Sequence, residues 1–61
     1  MSLTEQIIEI VDQGRSNGTN TGELNQALYA IGCTRISHRI GILVAYYYDA
    51  DDEERFVICT L

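Results

Sequence analysis

The sequence contains no lysine, so its positive charge comes from four arginines alone, set against nine acidic residues. The formal net charge is -5 at pH 7. A chain with this balance has a negative far field, which repels the phosphate backbone of a nucleic acid at long range. Any contact with nucleic acid must therefore be local, through the few arginines that the chain has.

Cysteine and long apolar runs are also scarce. The two cysteines, Cys33 and Cys59, lie in apolar stretches and lack the dense, even spacing of a secreted disulfide scaffold. We expect both to be reduced thiols in the core, because free cysteine is among the most often buried residues. No apolar run resembles a signal peptide or approaches the ~18–20 residues of a membrane span, so we expect a cytoplasmic protein with no membrane partner.

The composition is that of one globular domain, residues 1–61. Hydrophobic residues make up 46% of the chain and charged residues 21%, which is enough apolar content to offset the entropy of ordering. At this length a core rarely supplies more than ~3–5 kcal/mol without a metal, disulfides or a second chain. We therefore expect a homodimer or another protein partner.

The first stretch predicts an amphipathic helix. Ser2 and Glu5 form the Ser-x-x-Glu pattern of a capping box, and Gly14 is expected to end the helix. The apolar positions that recur at helical spacing are Leu3, Ile7, Ile10 and Val11.

A second helix follows a polar connector, in which residues 19–21 suit a short extended segment. Asn20 or Thr21 is the expected cap and Gly32 the expected end. One face of this helix carries Leu24, Ala27, Leu28 and Ile31.

A third helix is predicted after a turn at residues 32–33. Thr34 is its expected cap, and Ile36, Ile40 and Leu43 then share one face. A neighbouring stripe that points outward carries Arg35, His38 and Arg39.

Two antiparallel strands are predicted to close the chain, over Val44–Tyr48 and Arg55–Leu61, because both stretches are rich in β-branched and aromatic residues. In the second strand, alternation puts Phe56, Ile58 and Thr60 on one face and Val57, Cys59 and Leu61 on the other. The acidic tip between them has no glycine, so its loop must be longer than a tight hairpin. A third helix extended through the tyrosines is the alternative.

This order of elements is that of a small winged helix-turn-helix, an α+β fold with three helices followed by a C-terminal two-stranded antiparallel hairpin. The stretch "TGELNQALYAIGCTRISHRIG" resembles a helix-turn-helix core, and "ILVAYYYDADDEERFVICTL" is similar to the wing of the MarR-type regulators. In that family a Leu-Val pair, a polar tip and a final hydrophobic strand follow the reading helix. Here Leu43 and Val44, residues 49–55 and residues 56–61 match these features.

The resemblance implies a DNA-binding transcriptional regulator that acts as a dimer or within a larger assembly. It puts Arg35, Ser37, His38 and Arg39 on the exposed face of the reading helix, as the residues that bind double-stranded DNA. On such a face arginine contacts guanine edges or phosphate, and serine and neutral histidine form hydrogen bonds.

The acidic tip favours a second hypothesis. Five acids lie within residues 49–54, where the wing of that family is basic, and an acidic wing is repelled from a DNA groove. The alternative function is an acidic winged-helix protein-interaction module or inhibitor, which binds a protein partner through its tyrosine-rich hairpin and acidic tip and does not bind DNA. Its expected interface residues are Tyr46, Tyr47 and Tyr48, since tyrosine suits a protein interface.

No catalytic or metal site is predicted. Ser37 and His38 are neighbours on the predicted helix and point about 100° apart, so they do not form a nucleophile and base. Asp49, Asp51 and Glu53 alternate as at the start of a calcium loop, but the loop glycine and the distal glutamate are missing. Cys33, His38 and Cys59 lack metal-ligand spacing. We therefore expect neither an enzyme nor a bound cofactor.

Overall fold

The computed structural model of the protein describes residues 2–61. Helices α1 (Leu3–Asn17) and α2 (Thr21–Ala30) come first, and strands β1 (Arg35–Arg39), β2 (Ile42–Tyr48) and β3 (Glu54–Thr60) follow. The strands form one antiparallel sheet in the order β1-β2-β3. The fold is α+β, but the expected winged helix-turn-helix with three helices and a two-stranded hairpin is wrong.

Helix α1 begins at the predicted cap. Ser2 Oγ accepts a hydrogen bond from the Glu5 N–H at 3.2 Å, which satisfies one of the free amides of the first turn. The predicted end is wrong, because the helix continues past Gly14 and ends at Gly18, whose φ of 67° is left-handed. Gly14 serves packing instead: a Cβ there would lie 3.0 Å from Leu24 Cδ1 of α2.

Helix α2 is capped by Asn20, whose Oδ1 accepts from the Glu23 N–H at 2.9 Å. The predicted extended segment at residues 19–21 is not present, since the helix already begins at Thr21. Leu24 and Leu28 are buried as the periodicity predicts, whereas Ala27 is exposed.

The predicted third helix is a strand. Residues 35–39 form β1, which pairs with β2 in a register that runs from Arg35↔Tyr46 to Arg39↔Ile42. Ile40 and Gly41 make the two-residue turn between them, and Gly41 has the positive φ of 75° that glycine adopts without strain. Ile40, expected on the buried face of a helix, is fully exposed at the tip of this turn.

Strands β2 and β3 form the predicted hairpin, with β2 starting two residues earlier than expected. The five-residue loop between them turns without glycine because Asp52 takes a φ of 62°, a conformation that aspartate tolerates. Asp49 Oδ1 accepts from the N–H groups of Asp51 and Glu53, at 2.9 and 3.0 Å. The helix through the tyrosines, the alternative interpretation, is also wrong.

The molecule has two layers, with both helices packed on one face of the sheet. The buried core lies between the layers and consists of Ile7, Val11, Leu24, Leu28, Cys33, Leu43, Ala45, Val57 and Cys59. All of its strand members point toward the helices, so the opposite face of the sheet contributes nothing to it. Cys33 and Cys59 are free and buried, as predicted.

Candidate interaction surface

The side of the sheet that faces away from the helices is here called the outer face. Because side chains alternate along a strand and the register is continuous across all three strands, its members follow directly from the pairing. They are Arg35, Ser37 and Arg39 on β1; Ile42, Val44, Tyr46 and Tyr48 on β2; and Glu54, Phe56, Ile58 and Thr60 on β3.

The outer face is largely apolar and open to solvent. Phe56 is 58% exposed, Ile58 59% and Tyr48 51%, while Val44 and Tyr46 between them are half-buried by their neighbours. Monomeric proteins rarely leave a contiguous apolar patch of this kind uncovered, and such patches mark interaction sites. No described element of the chain, within residues 2–61, lies over it.

One row across the outer face is ordered by ring contacts. The Arg35 Cζ atom lies 4.1 Å from the centroid of the Tyr46 ring, a cation–π contact. The Tyr46 and Phe56 rings follow, with centroids 5.9 Å apart and planes tilted by 44°. Arg35, Tyr46 and Phe56 therefore form one continuous row of contacts across the three strands.

Charge is unevenly distributed over this surface. Arg35 and Arg39 lie on β1, and Glu54 lies on β3, two strands away. The ion pairs formed within residues 2–61 belong to Arg55, which binds Asp49 at 2.7 Å and Glu53 at 3.2 Å. The two arginines of the outer face are therefore available for carboxylates of a partner.

The structure brings most of the two predicted sites onto this one surface. Arg35, Ser37 and Arg39, expected on a DNA-reading helix, lie on the same face as Tyr46 and Tyr48, which were expected in a protein interface. Their common location comes from β1, which was predicted as a helix.

Two predicted site residues lie elsewhere. His38 points to the helix side, where Nε2 is 2.9 Å from Asn25 Oδ1 of α2. Tyr47 also points inward, and its hydroxyl is 2.8 Å from Thr4 Oγ1 of α1. Both side chains link the sheet to a helix by a hydrogen bond, which is a structural role.

Phe56 and Ile58 also lie on this surface, although they were not predicted as site residues. The signal was available, since alternation had already put both on the face opposite Val57 and Cys59. Because residues 35–39 were predicted as a helix, however, the expected sheet had only two strands, and its outer face was not recognised as a broad surface.

The remaining ionisable side chains of the described residues do not form a second site. Burial raises the pKa of Cys33 and of Cys59, which favours the neutral thiols. No three histidine, cysteine or carboxylate side chains converge as metal ligands in the described part of the chain. None of the helices formed by residues 2–61 has the length and apolar content needed to cross a membrane.

Comparison with known proteins gives no match: no family model, no curated protein and no solved structure is significantly similar to this chain.

Proposed function

We propose that the protein is an interaction module that binds a protein partner through the outer face of its sheet. The observation that carries this proposal is the exposure of more than half of Phe56, Ile58 and Tyr48 on one uncovered sheet face. Covering these side chains contributes about 25 cal/mol for each Å² of apolar surface removed from water. A cytoplasmic location belongs to the same proposal, since free thiols persist in reducing compartments.

The partner is expected to cover the apolar surface of Phe56 and Ile58, and to present a carboxylate to Arg35. Tyrosine and arginine are enriched among the residues that dominate binding energy, and here Arg35 and Tyr46 are stacked in contact. The reading-helix mode of DNA recognition is not part of the proposal, because residues 35–39 are a strand.

Single-stranded nucleic acid is a second candidate partner. The row of Arg35, Tyr46 and Phe56 favours it, since aromatic side chains on an open sheet stack with bases and arginine adds a cation. The net charge of -5 opposes it, because every phosphate brought to the sheet approaches an acidic body. We therefore place a protein partner first.

Site-specific photo-crosslinking tests the proposal. A photoreactive phenylalanine analogue replaces Phe56 in one version of the protein and Tyr29, a half-exposed residue of α2, in the control. Both versions are illuminated in the cells that naturally produce the protein. We expect a discrete protein adduct from position 56 and none from position 29.

An adduct at position 56 that disappears on nuclease treatment would support the second candidate instead. The absence of any adduct at position 56, or the same adducts from both positions, would contradict the assignment of the outer face as the binding surface.

A further inference from the structure

We infer that the outer face binds the outer face of a second copy of the chain, with β1 of each copy lying over β3 of the other. This inference rests on the proposed function, and it names the partner. Its basis is the charge pattern: the outer face carries its basic groups along one edge strand and its acidic group on the other. Two such surfaces are complementary when a two-fold axis brings the basic edge strand of each copy over the acidic edge strand of the other.

Two stacked sheets keep their strands within about 30° of each other, which leaves two ways to relate the copies. A two-fold axis across the strands puts β1 over β1, and Arg35 of one copy then faces Arg39 of the other. Like charges that meet in an interface cost several kcal/mol, so this arrangement is disfavoured.

A two-fold axis along β2 gives the complementary arrangement. It puts β1 of each copy over β3 of the other, so that Arg35 lies above the partner copy's Phe56. The partner copy's Glu54 is two residues, about 7 Å, further along that strand, and stacked sheets are about 10 Å apart. An extended Arg35 side chain that leaves the Tyr46 ring spans this offset together with the glutamate side chain, and symmetry forms the Arg35–Glu54 contact twice.

The apolar residues of β2 fall in the middle of this arrangement, where Val44 and Tyr46 face the same strand of the second copy. Phe56 and Ile58 on the edge strand are covered by β1 of the second copy. The result is a six-stranded sandwich with helices on both outer sides. For a 61-residue chain whose core is confined to one side of its sheet, this second apolar layer supplies burial that a single copy lacks.

A second copy also has a net charge of -5, but it places one carboxylate on the sheet for each Arg35, whereas a nucleic acid brings one phosphate for each nucleotide. The second copy is therefore favoured over a nucleic acid. It also accounts for Glu54, the acidic member of the outer face, which a nucleic acid would have to avoid.

Sedimentation equilibrium on the purified full chain tests the inference. We expect a monomer–dimer equilibrium for the parent protein. In an Arg35→Glu dimer, each of the two contacts brings two glutamates together, and in a Glu54→Arg dimer each contact brings two arginines together. Because like charges repel, each change should weaken dimerisation by about tenfold or more. Arg15→Glu, an equal change of charge on α1, should leave the dimer constant unaltered.

The decisive step mixes the two weakened variants. The Arg35→Glu chain has glutamate at positions 35 and 54, and the Glu54→Arg chain has arginine at both. In a heterodimer of the two, each contact therefore pairs a glutamate with an arginine, so the mixture should form a heterodimer of near-parental affinity. Mixing needs no assumption about folding, since a misfolded variant would not recover. The double variant R35E/E54R should likewise recover as a homodimer.

A parent chain that stays monomeric at millimolar concentration overturns the inference, as does a mixture no tighter than its components. In both cases a crosslink from position 56 to a different protein would leave the proposed function standing. If position 56 formed no protein crosslink at all, the proposed function would be contradicted as well.

Discussion

At the residue scale, Arg55 and Asp49 hold the acidic loop in place. The Arg55 Nε donates to Asp49 Oδ2 at 2.7 Å, while the other carboxylate oxygen of Asp49 accepts two backbone N–H groups of the loop. The hydrogen bond from Arg55, together with the backbone donors, lowers the pKa of Asp49 below its ordinary value. The same contact raises the pKa of Arg55.

This pairing predicts an acid-dependent loss of stability. Since the pKa of Asp49 is lower in the folded chain than in the unfolded chain, its contribution is fully present above about pH 4 and is lost as the pH falls through the folded-state value. Asp49→Asn should therefore be less stable than the parent at pH 7. The two urea-unfolding midpoints should converge as the pH falls below the folded-state pKa of Asp49.

The matched control is Asp51→Asn, which removes the same charge from an exposed position of the loop without breaking an ion pair. Its midpoint should follow the parent across the whole titration. A constant difference between Asp49→Asn and the parent across the acid range would contradict this role of Asp49.

The three consecutive tyrosines show how far sequence analysis reaches at this scale. Composition alone treats them as one interface, but a strand sends neighbours to opposite faces. Tyr47 contacts Thr4 on the helix side, and Tyr46 and Tyr48 lie on the outer face. Only the strand assignment separates Tyr47 from the other two, and the expectation that tyrosines form an interface stays a prediction.

At the element scale, the sequence predicted α1, α2 and the β2–β3 hairpin because each has a local signal. Side-chain caps mark both helix starts, and β-branched and aromatic residues mark both strands. Residues 35–39 lack a signal that separates helix from strand, because Thr34 before them matches a helix cap. Ile36, Ile40 and Leu43 suit a helical face, yet Ile36 also alternates with Arg35 and Ser37 as a strand requires.

The choice between helix and strand was made by pairing with β2, the next strand along the chain, and by the turn that joins the two strands. Pairing with β2 satisfies the backbone groups of β1 on that side, and Gly41 closes the turn with a φ of 75°. The periodicity of apolar residues reports neither strand pairing nor the turn. For this reason β1, the third strand of the sheet, was not predicted.

Substitution of Gly41 tests this turn. In the hairpin, Gly41→Ala forces a left-handed conformation on alanine and should cost about 1–2 kcal/mol of unfolding free energy. In a helix the same change would stabilise by about 0.5–1 kcal/mol, so the sign alone separates the two structures.

Gly22→Ala is the matched control. Gly22 lies in the first turn of α2, and a Cβ added there would have Asn20 Oδ1 as its nearest side-chain neighbour, at 3.4 Å. The change should stabilise the protein by about 0.4–1 kcal/mol through the unfolded state. Urea denaturation measures both values, and a stabilising Gly41→Ala would contradict the hairpin.

At the scale of the whole molecule, one face of the sheet packs against the helices and the other is open to solvent. The nine buried core residues lie among the helices, the helix-facing side of the sheet and the turn before β1. The other side holds an arginine–aromatic row with exposed aliphatic neighbours and takes no part in that core. This division between the two faces is the central claim of the account, because both the proposed function and the dimer depend on it.

Adjacent residues of β3 give its most direct test, since Val57 is buried and Ile58 is 59% exposed. Threonine replaces either one with little change of β-propensity, and urea unfolding is followed at a concentration low enough to keep the chain monomeric. Val57→Thr should lose about 1–3 kcal/mol because it buries a hydroxyl, and Ile58→Thr should remain within about 0.5 kcal/mol of the parent. Equal losses, or a larger loss at position 58, would contradict the claim that the outer face is free to bind.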